Sequence, residues 1–128
     1  MKPRLPRPTD AELAILRVLW ERGPSTVRQV HESLSGQRAI GYTTILKLMQ
    51  IMADKGLVAR DETDRTHIYA PRRSEEHTQR QLLQDLLDRA FGGSALKLVM
   101  QALSAKKSSP EELAQIRQLL DESERGTR

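Results

Sequence analysis

Four polar side chains fall within eight residues of one another: Thr43, Thr44, Lys47 and Gln50. A threonine hydroxyl donates or accepts a hydrogen bond, and its methyl packs on a thymine methyl. A lysine reaches a guanine edge or a phosphate, and a glutamine amide pairs with adenine or holds a phosphate. At this spacing the threonines occupy the first turn of a helix, where a recognition helix meets base edges, and Lys47 and Gln50 follow on the same side. Helix N-terminal amides add a second means of binding phosphate. A second cluster lies further on. Arg65 sits at the tip of a turn with His67 two residues later, placed for a phosphate or a minor groove. Each cluster alone also fits a plain role, the threonines as helix starters and Arg65 as a solvated turn charge. The elements around them decide.

Other chemistries find no residues to carry them. His31, His67 and His77 stand singly on three different elements, none with a carboxylate at metal-ligand spacing. The acid pairs Glu75-Glu76 and Glu111-Glu112 open helices, where they complement the dipole. There is no phosphate-binding glycine loop and no cysteine, which removes disulfides, thiolate metal sites and cysteine catalysis. The expectation is a protein with no catalytic residue, no metal and no cofactor.

The elements can be read from caps and periods. Thr9-Asp10-Ala11-Glu12 is a capping box that opens a first helix with Leu13, Leu16, Val18, Leu19 and Trp20 as its apolar stripe, stopped at Gly23-Pro24. Thr26-Val27-Arg28-Gln29 opens a second, with Val27, Val30 and Leu34 on one face, and Ser25-Thr26 is extended enough to lend a short edge strand. Gly41 precedes a third helix over about residues 42–55, with Ile45, Leu48, Met49 and Met52 inward. Tyr42, Thr43, Leu46, Lys47 and Gln50 fall on its other side, and Lys55-Gly56 ends it. The period then changes to that of strands, 57–62 and 66–70, joined by the turn Thr63-Asp64-Arg65 and stopped by Pro71. Such a hairpin is marginal alone and must pack on the helices. Three helices and a hairpin make a winged helix, in which the third helix enters the major groove and the hairpin is the wing.

The rest is helical. A fourth helix opens at Ser74-Glu75-Glu76 and stops at Gly92-Gly93, with Leu82, Leu83, Leu86 and Leu87 as its ridge and Phe91 at its end. A fifth, capped by Ser94, carries Leu96, Leu98, Val99, Met100 and Leu103. A sixth opens at Ser109-Pro110-Glu111-Glu112 and carries Leu113, Ile116, Leu119 and Leu120. Three such helices cannot bury this many leucines among themselves, and a large exposed apolar patch marks an interface. A two-fold homodimer is the economical solution. The fold class expected is therefore mainly α with a small β-hairpin: an extended basic arm at 1–8, a winged helix-turn-helix DNA-binding domain at 9–73, a three-helix dimerisation region at 74–122 and a frayed tail at 123–128.

Charge divides along the same line. Residues 1–73 carry 13 basic and 8 acidic side chains, and residues 74–128 carry 8 and 9. A basic part attracts phosphate polymers, and a near-neutral, leucine-rich part suits protein contacts. Aromatics are 3% of the 128 residues, too few for a base-stacking platform. The arm, with Lys2, Arg4 and Arg7 among three prolines, has no apolar stretch for a signal peptide or membrane anchor. A cytoplasmic protein without direct membrane binding is expected.

The order and spacing of several runs resemble one family. Thr9-Asp10-Ala11-Glu12-Leu13-Ala14-Ile15-Leu16 with Leu19-Trp20, Thr26-Val27-Arg28-Gln29-Val30, Gly41-Tyr42-Thr43-Thr44-Ile45-Leu46-Lys47, Lys55-Gly56-Leu57-Val58, Arg65-Thr66-His67-Ile68-Tyr69-Ala70-Pro71 and Phe91-Gly92-Gly93 are similar to the penicillinase-repressor (BlaI/MecI/CopY-type) family, over about residues 9–122. The resemblance implies a homodimeric winged-helix repressor on an inverted-repeat operator, with bases read from Tyr42, Thr43, Thr44, Leu46 and Lys47, the wing's Arg65 on the backbone, and the C-terminal helices as the dimer clamp. It also implies a partner, a membrane-bound zinc metalloprotease sensor whose signal ends in cleavage of the repressor. Three positions depart from the family's pattern. The bond matching the family's Asn-Phe cleavage site is Gln101–Ala102, which has neither residue type. Ile51 stands where many members have arginine. The C-terminal cysteines of the copper-responsive branch are absent, which excludes copper-thiolate sensing. Two other functions remain open on the residues: a winged-helix repressor controlled by a small ligand, and a winged-helix protein-interaction module that binds no DNA.

Overall fold

Three reciprocal capping boxes fix where helices begin. Thr9 Oγ1 accepts from the Glu12 amide at 3.2 Å while the Thr9 amide donates to Glu12 Oε1 at 2.9 Å. Thr26 and Gln29 repeat the exchange, as do Ser109 and Glu112. Each box satisfies two helix-end donors that would otherwise lack a partner. The computed structural model describes residues 7–37 and 39–126. Its elements are α1 (Asp10–Arg22), α2 (Val27–Ser35), α3 (Tyr42–Lys55), β1 (Val58–Asp61), β2 (Ile68–Pro71), α4 (Glu75–Ala90), α5 (Ala95–Ala105) and α6 (Pro110–Glu124). The order is that of a winged helix followed by three helices. Lys2 and Arg4 of the expected arm lie outside the described residues.

The chain divides into two compact units, Met1–Leu83 and Gln84–Arg128, with the boundary inside α4. In the first unit, Ile15, Leu16 and Leu19 of α1, Val27, Val30 and Leu34 of α2, and Ile45, Met49 and Met52 of α3 form one core with Leu57, Val58 and Tyr69. The hairpin thus packs on the helices, as its marginal stability alone requires. On α1 the inward positions are Glu12, Ile15, Leu16 and Leu19, spaced i, i+3, i+4, i+7. Ile15 replaces Leu13, Val18 and Trp20 of the expected stripe. Those three spread too far around the helix for one buried face and are half-buried. On α3, Leu48 is likewise half-buried.

Gly56 ends α3 in the left-handed region at φ 82°, with its amide donating to the Ala53 carbonyl and the Leu57 amide donating to Met52. This paired closure needs a residue that tolerates positive φ, and it drives Leu57 and Met52 together into the core. The strands pair antiparallel, Val58 opposite Pro71 and Asp61 opposite Ile68. They are shorter at the turn than expected, and the connection runs from 62 to 67. The cause is local: the Asp61 carboxylate accepts from both the amide and the hydroxyl of Thr63, a turn that competes with the ladder.

Pro71, expected to stop the second strand, is instead its last paired residue. Tyr69 uses both its amide and carbonyl on Ser25, at 2.8 and 2.9 Å, so alternate residues of β2 face away from β1. Pro71 shares that orientation, and its missing N–H removes no bond to β1. Ser25 thus provides the short edge pairing that its extended backbone suggested.

Within the second unit, α5 and α6 contain no buried residue. Ser94 caps α5 through the Lys97 amide, and Gly92 and Gly93 turn the chain at φ 57° and 82°. Ser123 and Glu124, expected to fray, continue α6. No helix of the described residues is long and apolar enough to cross a membrane.

Candidate nucleic-acid interface

The exposed side of α3 follows from the burial of the other. With Ile45, Met49 and Met52 fully buried, Tyr42, Thr43, Thr44, Lys47 and Gln50 are exposed, and Leu46 is half-buried against the core. Tyr42, Leu46 and Gln50 recur every four residues and line a groove. Its other walls are Arg65, Thr66 and His67 of the wing and Thr26, Val27 and Arg28 of α2, with Tyr69 also lining it. Two arginines and a histidine therefore share one open groove whose lining includes no carboxylate. Thr43, Thr44 and Lys47 lie outside that lining, elsewhere on the exposed surface of α3.

Two contacts hold the groove in shape. The His31 ring of α2 meets the Tyr42 ring edge-on, with centroids 5.9 Å apart and planes at 78°. This arrangement suits the ring quadrupoles and fixes Tyr42 at the start of α3. The Ser25–Tyr69 bridge ties the entry of α2 to the wing strand. Where β1 runs into the wing's loop, Arg60 Nε donates to Glu62 Oε2 at 2.9 Å. Hydrogen bonds to Tyr69 and Glu62 hold the Arg60 guanidinium above its ordinary pKa. The hydrogen bonds from Thr63 hold the Asp61 carboxyl below its ordinary range.

The fold brings together Tyr42, Leu46, Gln50, Arg65 and His67 of the residues expected from sequence. It adds Arg28 and Thr66, which sequence reasoning missed. The capping box at Thr26 already placed Arg28 in the exposed first turn of α2. Only the pairing of Ser25 with Tyr69 puts that turn beside the wing. Among the described residues no group of three or more His, Asp or Glu side chains is placed to hold a metal ion.

The expected dimer residues divide by exposure. Leu83, Leu86, Leu96, Val99, Met100, Leu103, Leu119 and Leu120 are exposed in the single chain, with Leu96 at 70% and Leu119 at 62%. Leu82, Leu87, Phe91, Leu113 and Ile116 are half-buried. Gln101 and Ala102 are exposed within α5.

Comparison with known proteins agrees with this architecture. A family model described as penicillinase repressor matches residues 8–122. The transcriptional regulator BlaI of Mycobacterium tuberculosis is 42% identical over 88 residues, 68% of this chain and 64% of that protein. This chain thus spans less than two thirds of that relative's length. The penicillinase repressor of Bacillus licheniformis is 24% identical over 119 residues, 93% of each chain. Among solved structures, the solution structure of the monomeric form of Bacillus licheniformis BlaI in complex with the blaP half-operator superposes with a TM-score of 0.50. It is 25% identical and covers 57% of this chain and 89% of that one.

Proposed function

The chain belongs to the penicillinase-repressor family of transcriptional regulators, and from that premise we propose that it is a homodimeric repressor that binds an inverted-repeat operator in double-stranded DNA. The observation that carries the proposal is the groove in which the outward face of α3 and the wing present Gln50, Arg65 and His67 without a carboxylate. Thr43, Thr44 and Lys47 read base edges from the exposed surface of α3, and the wing's Arg65 holds the backbone. The complex of the Bacillus licheniformis relative with its half-operator supports this reading.

Dimerisation uses the apolar faces of α4 to α6. The exposure of Leu86, Leu96, Val99, Met100, Leu119 and Leu120 supports it, because a surface that apolar is stabilised by a second copy. Two winged domains then engage two half-sites together, and avidity makes operator occupancy depend on the intact dimer. Release follows from anything that divides the C-terminal helices. Cleavage by a membrane-bound metalloprotease sensor is the family's route, and the bond here that matches the family's cleavage site, Gln101–Ala102 in α5, has neither of that site's residue types. The protein acts in the cytoplasm, where the operator is.

The test is a footprint on the promoter of the protein's own gene, with binding measured across a salt series. Protection of two symmetric half-sites, weakening steeply with salt, is expected. Absence of salt-dependent binding to any duplex would leave a protein-interaction module instead.

A further inference from the structure

The groove contains one cation that neither the recognition helix nor the wing supplies. Arg28 is the second residue of α2. The Ser25–Tyr69 bridge and the Thr26 cap hold the chain just before it, so this arginine starts from rigid backbone anchored to the wing strand. His31 lies one turn further along α2 and meets Tyr42, so the side of α2 bearing Arg28 adjoins the start of α3. Arg28 is exposed and lines the groove together with Tyr42, Gln50, Arg65 and His67.

Among the described residues, no carboxylate forms a salt bridge with Arg28 or Arg65. The first turn of α2 contains no acidic residue. A cation there is disfavoured by the helix dipole, and a docked anion relieves that strain. The capping box uses the amides of Thr26 and Gln29. The amides of Val27 and Arg28 have no hydrogen-bond partner among the described residues, and both residues line the groove.

Resting on the DNA-binding reading above, we propose that Arg28 is a phosphate-binding residue that grips the sugar-phosphate strand running between α3 and the wing, opposite Arg65. Its guanidinium offers the planar fork that matches two phosphate oxygens. Because the contact is to phosphate, Arg28 sets the position of α3 over the bases and adds affinity without regard to sequence.

The test uses the full chain and random-sequence duplex DNA, with binding followed by fluorescence anisotropy over a potassium chloride series. Arg28→Ala is expected to reduce the magnitude of the salt slope by about 0.9, the value for one lost phosphate contact. Arg65→Ala should do the same, and the double variant should lose the sum. Arg28→Lys should keep most of the slope, because one cation still neutralises the phosphate. Arg17→Ala, an exposed cation of α1 lining a different groove, is the control for net charge and should leave the slope unchanged. A wild-type slope in Arg28→Ala, or an equal loss in Arg17→Ala, overturns the assignment of Arg28 while leaving DNA binding intact. A wild-type chain with no salt-dependent binding overturns both.

Discussion

Lys55 Nζ stands 2.8 and 3.0 Å from the two carboxylate oxygens of Glu12. Glu12 is 2% exposed and also closes the capping box of α1. One carboxylate therefore starts the first helix and ties it to the last turn of α3, the helix proposed to read DNA. A buried charge is stable only while paired and hydrogen-bonded, which makes this contact a condition on where α3 lies.

Lys55→Ala should destabilise the first unit by about 2 kcal/mol, between the value for a surface pair and that for a fully buried one, because Lys55 keeps part of its surface in water. Lys47→Ala, an exposed lysine on the same helix, should change stability little. Chemical denaturation of both variants distinguishes the cases. Equal stabilities would show that Glu12 is satisfied by its cap alone.

Thr44→Ala should weaken specific operator binding by roughly 1–3 kcal/mol with the fold intact, since Thr44 is exposed and its loss opens no cavity. Gel-shift titrations on operator and random duplexes give the measurement. The random duplex should be bound as before. Unchanged operator affinity would remove Thr44 from base reading.

Leu96→Asp should give a folded monomer. Leu96 is 70% exposed in the single chain, so the protomer tolerates the charge, whereas a dimer interface would have to bury it unpaired. Leu86→Asp should act in the same way. Sedimentation velocity showing an intact dimer for both would place the interface elsewhere.

The turn that opens the wing's loop should respond only to strong acid. The Asp61 carboxyl is held below its ordinary pKa by Thr63, so the folded state favours its ionised form. The stabilisation is present at and above the ordinary aspartate range and is lost as the pH falls through the depressed value. An NMR titration following the Thr63 amide should show one transition below that range. Asp61→Asn should abolish it.

Much of the fold was legible because its signals are short. The boxes Thr9–Glu12, Thr26–Gln29 and Ser109–Glu112 span four residues each, and Gly56 marks the end of α3 by its backbone freedom. The inward positions of α2 follow from period alone. General preference gave way where a local contact displaced it. The Asp61–Thr63 turn shortened the strands, and the orientation set by Tyr69 made Pro71 acceptable as a paired residue. Leu13 and Ile15 are both apolar but stand two residues apart, on nearly opposite sides of the helix, and packing turns the side with Ile15, Leu16 and Leu19 inward.

The sequence by itself determined the helices, the outward face of α3, the division of charge and the absence of thiol chemistry. All of these depend on residue type or on neighbours within a turn. Tertiary structure alone decided which faces meet. It placed Arg28 and Thr66 in one groove with Gln50 and Arg65, and it gave Glu12 a second task with Lys55, forty-three residues away. Capping and periodicity act over three or four residues, whereas the groove depends on Ser25 pairing with Tyr69 and on His31 meeting Tyr42. Those contacts form only when the core has closed.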